Sequence, residues 1–200
     1  MSTGTRRARE RANTRERIIE AGLRVLESEG VSALTIRRIA TDVEYAAPIV
    51  YQHFANKDAL LLELAAHGYR LMLAELEHTA EEPDIDRRMM QLASEYVRFA
   101  GEHPHLYQVM NGGAVDAQDR RRAAAAAIAV LEELVTAWSA AHDVVLADFD
   151  DACDIIWGTL YGIASLGYLD TVGNERARRL AQQALRTLLR GWRTDLPENG

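Results

Sequence analysis

The stretch from Ile49 to Lys57 gathers a phenol (Tyr51), a carboxamide (Gln52), an imidazole (His53) and an ammonium (Lys57). Val50 and Phe54 stand at i and i+4 as the inward edge of a short helix, which turns Ile49, Tyr51, Gln52 and His53 mostly outward. A helix that buries two residues and shows a polar-aromatic face has the form of a nucleic-acid reader. Pro48 suits its first turn, where a missing N–H costs no hydrogen bond. Just upstream, Ile36, Ile39, Ala40 and Val43 fall at i, i+3, i+4 and i+7, an apolar helix face that Thr35 caps. Residues 35–61 therefore read as two short helices, a tight turn and the start of a longer helix.

Other chemistries find less support. Asp148, Asp150, Asp151 and Asp154 resemble a metal cluster in composition only. Consecutive helical positions point in different directions, and acids at a helix N-terminus are stabilised by its dipole. His103 and His105 flank Pro104 without further ligands at a convincing spacing. No Ser-His-Asp order, phosphate-binding loop or dinucleotide fingerprint is present. No catalytic residue, metal or cofactor is expected, and an enzyme using a C-terminal cavity is the disfavoured class. Cys153 is the single cysteine, so an intrachain disulfide is excluded and a core thiol is expected.

The composition, 48% hydrophobic and 26% charged, is that of a globular chain, and scarce strand signals predict an all-α fold. Net charge is −7, unevenly spread. Residues 1–57 hold ten Lys/Arg against seven Asp/Glu, and the remainder holds thirteen against twenty-three. A basic head on an acidic body fits a head that meets phosphate. The N-terminus lacks the apolar core of a signal peptide, and no run approaches the roughly 20 apolar residues of a membrane span. A cytoplasmic protein with no membrane partner is expected.

Along the chain, residues 1–12, with Arg6, Arg7, Arg9 and Arg11 against Glu10, read as a flexible basic arm. A first helix carries Ile18, Ala21, Gly22, Val25 and Leu26 and stops at Gly30. Asn56 caps the helix after the reader. Residues 13–67 form the first domain and 68–200 a larger helical one, whose helices are capped by Asp84 and Asp148 and broken at Gly101–Pro104 and Gly112–Gly113.

The run Val50-Tyr51-Gln52-His53-Phe54-Ala55-Asn56-Lys57, with Thr35 and Ile39-Ala40 upstream and Asp58-Ala59-Leu60-Leu61 downstream, resembles the DNA-binding domain of the tetracycline-repressor (TetR) family. Three positions depart from the usual pattern. Glu44 stands at the turn glycine and must adopt a left-handed or altered turn, Tyr45 replaces a valine, and Ala46 replaces an N-cap serine at a cost of about 1 kcal/mol. The resemblance implies phosphate contacts from Thr35, His53 and Lys57, the only lysine in the chain, and a phosphate or base contact from Tyr51. Arg37 is placed for bidentate guanine readout, Ala47, Pro48 and Ile49 for thymine methyls, and Gln52 beside them. A packing role competes for His53. The stretch from Trp157 to Leu166 resembles the C-terminal domain of a TetR subgroup with a His-Gly-Leu-Ala-Ser-Leu-like signature, with Tyr161 where its His is common.

The resemblance implies a homodimeric regulator on palindromic double-stranded DNA, released by a small molecule. The last two long helices are expected to form the dimer through Gly158, Gly162, Leu185, Leu188 and Trp192, since helical glycines cost up to about 1 kcal/mol each and something should approach them closely. A largely apolar effector is expected among Tyr96, Phe99, Tyr107, Met110, Trp138, Trp157 and Tyr161, although aromatics at helical spacing also serve as plain core. A regulator that is constitutive, or controlled by a protein partner, is the alternative.

Overall fold

Side chains set the helix starts. Thr35 accepts the N–H of Arg38 at 3.1 Å, Asn56 that of Ala59 at 2.8 Å, Asp84 that of Arg87 at 3.1 Å and Asp148 that of Asp151 at 2.9 Å. Each such cap is worth about 1 kcal/mol. The computed structural model describes the chain from Thr3 to Thr194, with side chains from Arg6 onward except His78. Its helices are α1 Thr3–Glu29, α2 Ile36–Asp42, α3 Ala47–Tyr51, α4 Lys57–Leu76, α5 Ile85–Glu102, α6 Pro104–Asn111, α7 Ala117–His142, α8 Phe149–Tyr168 and α9 Asn174–Thr194, with a 3-10 turn at Glu77–Glu81. The expected all-α class holds, and no strand occurs among the described residues.

Two compact units emerge. The first runs to Tyr69 and adds residues 105–124; the second holds residues 70–104 and 125 onward. This division differs from a single cut near residue 67, because α6 packs with α1 and α4. His105 Nδ1 donates to the Glu27 carbonyl at 3.1 Å, the Leu106 N–H donates to the Glu27 carboxylate at 3.1 Å, and the Tyr69 hydroxyl donates to the Met110 carbonyl at 2.9 Å. Gly68 allows the approach: a Cβ there would lie 2.5 Å from Met110 Sδ. Buried in this way, the Tyr69 phenol is pushed up to about 12.

The second unit is built on α5, α8 and α9. Ala177, Ala181, Leu185 and Leu189 form the buried stripe of α9, and Ile156, Leu160 and Ala164 that of α8. Gly167 brings α8 close to α9, since a Cβ there would sit 2.9 Å from Ala177 Cβ. Cys153 is buried as expected, and burial pushes its thiol up to about 11.

Three expectations need correction. The basic segment is no arm over its described part: residues 3–12 continue α1, and Arg6 pairs with Glu10 at 2.8 Å across one turn. Arg, Ala and Glu are strong helix formers, so the segment extends the helix it precedes. Second, α7 is long and apolar enough to cross a membrane, with an 18-residue window of mean hydropathy 1.4. That value comes largely from alanine, whose single methyl is also the best helix former. Third, Leu185 is 1% exposed inside its own unit, so it packs α9 onto its neighbours instead of facing outward.

Candidate DNA interface

The turn between α2 and α3 is held by three backbone bonds. Val43 N–H donates to Ile39 O at 3.0 Å, Glu44 N–H to Thr41 O at 3.2 Å and Tyr45 N–H to Ala40 O at 2.9 Å. The last two make a Schellman stop, which requires a left-handed residue at Glu44, and Glu44 has φ +58°. A non-glycine residue pays roughly 1–2 kcal/mol for that conformation, partly offset by its lower freedom when unfolded. Glu44→Gly should therefore raise stability by about 0.5 kcal/mol, read as a small upward shift in melting temperature; a lower melting temperature would show that the Glu44 side chain itself supports the turn.

Tyr45 has a use at the place of the usual valine. Arg17 of α1 donates to its hydroxyl at 2.6 Å and lies 5.0 Å from its ring centroid, fastening the turn to α1. Arg38 pairs with Glu29 at 2.7 Å and with Asp42 at 3.5 Å, and Arg24 reaches Asp42 at 2.7 Å. These pairs orient α2 against α1. Arg37, one residue away, is exposed, with no side-chain partner among the described residues. Its guanidinium fork is free for a base edge.

Across α3 and the turn that follows it, Val50 is fully buried and Phe54 nearly so, while Pro48, Tyr51 and Gln52 are exposed and Ala47, Ile49 and His53 half-buried. Tyr51 is 53% exposed, which is uncommon for a ring of its size and leaves its hydroxyl outward. Ala46 provides no side-chain cap, as its type requires. The Thr35 oxygen that caps α2 is exposed, so its hydroxyl proton remains free to donate.

Lys57 is tied down in the free chain. Its ammonium donates to the Val31 carbonyl at 2.9 Å, closing the loop after α1 onto the start of α4. An ammonium has three donors, so two remain for a phosphate. Sequence reasoning did not find this anchor, nor the Arg17–Tyr45 pair, because both join residues far apart in the chain. A weaker signal existed for Arg11 and Arg15, spaced i and i+4 on α1: Arg15 lies 5.1 Å from the Phe54 ring centroid and pairs with Glu63 at 2.5 Å.

Partial burial, together with the Arg11 and Arg15 charges, holds the His53 imidazole below its usual value of 6.5. A phosphate arriving there would favour the imidazolium and raise that value. Binding would then take up a proton, so DNA affinity should rise as pH falls through and below 6.5. The trend should vanish in His53→Gln; a pH dependence unaltered in that variant would leave His53 a packing residue.

The aromatic set does not converge on one interior. Tyr107 and Met110 are buried in the first unit, and Tyr96, Phe99 and Trp138 in the second. Trp157 and Tyr161 are 49% and 36% exposed, with ring centroids 6.2 Å apart on the outer face of α8, which removes them from an interior pocket. They fall on that face because Cys153, Ile156, Leu160 and Ala164 take the inner one. Gly158 and Gly162 share the outer face, and a Cβ on either would meet nothing within 4 Å. On α9, Leu188 and Trp192 are half-buried, the latter edge-on to Trp138 at 6.3 Å.

The sequence profile of bacterial regulatory proteins of the tetR family matches residues 18–64, and that of tetracyclin repressor-like C-terminal domains matches residues 89–192. The chain belongs to the TetR family. Among curated relatives, this TetR-family chain is 27% identical over 95 residues to the uncharacterized HTH-type transcriptional regulator YobS of Bacillus subtilis, across 48% of this chain and 50% of YobS. A protein of unknown function from Rhodococcus sp. RHA1 is 28% identical, with a TM-score of 0.73 over 90% of this chain and 95% of that one. FadR of Bacillus subtilis, solved in complex with stearoyl-CoA, shares the fold at 17% identity, with a TM-score of 0.72 over 88% of this chain and 98% of FadR. The curated relatives include uncharacterized HTH-type transcriptional regulators and the nucleoid occlusion factor SlmA. The chain thus matches both the N-terminal and the C-terminal parts of TetR-type bacterial regulatory proteins.

Proposed function

We propose that this TetR-family regulator is a cytoplasmic repressor that binds a palindromic operator as a homodimer and leaves it when a small, largely apolar molecule binds its C-terminal domain. The observation that carries the reading is the α3 face. Tyr51, Gln52 and Pro48 project from a helix pinned by Val50 and Phe54, with Arg37 free beside them. Such a helix lies in a major groove with its exposed residues on base edges and phosphates.

The dimer is proposed through the outer face of α8 and the adjoining side of α9. Ile155, Trp157, Tyr161, Leu166 and Leu169 are all exposed there around Gly158 and Gly162, an apolar surface that a monomer would leave in water. Leu188 and Trp192 extend it on α9. A functional division is proposed with the reader before residue 68 and the regulatory part after it, even though residues 105–124 pack with the first unit. The C-terminal domain belongs beside the His-Gly-Leu-Ala-Ser-Leu-type subgroup, with Tyr161 at the histidine position.

For the effector, Tyr96, Phe99 and Trp138 remain the interior aromatic candidates, and a neutral or cationic ligand suits them. An effector shifts the equilibrium only by its preference for the released state. Screening apolar compounds for displacement of bound operator, with tryptophan emission as a second readout, tests the proposal. Release by neutral or cationic aromatics is the expected result. Release by strongly anionic ligands alone, of the kind FadR carries in its stearoyl-CoA complex, would overturn the ligand assignment.

A further inference from the structure

In the second unit, the first turns of α5 and the last turns of α9 enclose a cleft of about 230 Å³ lined by Asp86, Met90, Arg186, Leu189, Arg190 and Arg193. Its charges are unbalanced. Asp86 is the single acid of the lining, and it is already engaged: Arg193 donates to both carboxylate oxygens at 2.9 and 2.8 Å, Trp138 Nε1 donates at 3.0 Å, and His142 Nε2 lies 3.1 Å away. Although burial opposes it, hydrogen bonds from Arg193 and Trp138 hold the Asp86 carboxyl below its usual range, so it stays an anion committed to these partners. Arg186 and Arg190 are exposed and have no side-chain partner among the described residues. Two guanidinium groups without a side-chain partner among the described residues thus line one concavity, in the part of the chain that is otherwise acidic.

Helical geometry places the free arginines away from Leu188 of the proposed dimer face. Arg186, Arg190 and Arg193 fall at i, i+4 and i+7 on the side of α9 that meets α5, whereas Leu188 lies on another stripe and Trp192 stands between the two against Trp138. Met90 and Leu189 give the cleft an apolar wall. Guanidinium forks match tetrahedral oxyanions through paired N–H donors, and two free forks match a double negative charge.

We infer that this cleft binds the dianionic head of a phosphate monoester whose short apolar substituent rests on Met90 and Leu189. The site is separate from the helix-turn-helix and does not depend on the operator. Tryptophan reports on it locally, because Arg193 lies 5.6 Å from the Trp138 ring centroid and every tryptophan of the chain lies outside residues 1–137.

The test titrates the full-length protein, without DNA, with butyl phosphate, inorganic phosphate and chloride at matched ionic strength, reading tryptophan emission and the ³¹P linewidth. Saturable change with butyl phosphate, weaker with inorganic phosphate and absent with chloride, is expected. Arg186→Ala/Arg190→Ala should weaken butyl phosphate at least tenfold while melting and sedimentation stay unchanged, since both side chains are exposed. Vesicles containing phosphatidic acid carry the same headgroup: co-sedimentation lost in the double variant, together with the butyl phosphate response, would identify a lipid source, and no co-sedimentation a free monoester. No saturable change beyond the chloride control, or equal affinity in the double variant, would overturn the site.

Discussion

Gly162→Leu should leave each subunit folded and convert the proposed dimer to monomers. Gly162 is exposed and a Cβ there meets nothing within 4 Å in the subunit, so a side chain at this position starts into open space. Replacing an exposed helical glycine should even stabilise the isolated helix, by up to about 1 kcal/mol. Across the proposed two-fold axis the same side chain would hold apart two α8 helices that glycine lets approach. The variant should sediment as a monomer, retain its helix content, and lose binding to a full palindrome because the two readers are no longer joined. A variant that remains dimeric with unchanged operator affinity would show that the dimer does not close over Gly162.

Arg37→Ala and Tyr51→Phe should act on DNA binding with little change in melting temperature. Neither side chain has a partner among the described residues, and both are exposed, so removing the guanidinium or the hydroxyl leaves no unsatisfied group in the free protein. A lost bidentate guanine contact costs about 1–3 kcal/mol per half-site, and Arg37→Ala should relax the preference for one base pair in each. Tyr51→Phe, as a phosphate contact, should weaken all sequences alike and lower the salt slope by about one. Unchanged affinity and salt slope in both would remove these residues from the interface. Lys57→Ala is a less selective probe, because its ammonium also holds the Val31 carbonyl and its loss should cost about 0.5–1.5 kcal/mol of stability.

What the sequence made legible was local. Thr35, Asn56, Asp84 and Asp148 announce their caps by residue type a few positions ahead of an apolar face, and each caps as read. Glu44 is expected in a left-handed or altered turn because it stands at the turn glycine of the TetR pattern that the segment resembles, and its φ is +58°. Contacts between distant segments were not legible. Glu27 gives no sign in the sequence of receiving both His105 and Leu106, which is why α6 groups with the first unit rather than the second.

The phase of α8 misled for another reason. It is apolar nearly all round, so Trp157 and Tyr161 match an interior stripe as well as Ile156 and Leu160 do, and only packing against α5 and α9 decides between them. On α9, nothing in the sequence places Asp86 opposite Arg186, Arg190 and Arg193. The basic N-terminal segment misled by composition: its arginines suggested a solvated arm, yet the same residues favour helix and extend α1.

The central claim, that two α3 faces read inverted half-sites, is tested most directly by selecting bound duplexes from a random DNA pool and footprinting the enriched sequence with hydroxyl radicals. An inverted repeat is expected, with half-site centres about 34–36 Å apart or a multiple of that, and with protection lost in Arg37→Ala. Enrichment of no sequence, or of a single element without its inverted copy, would contradict it.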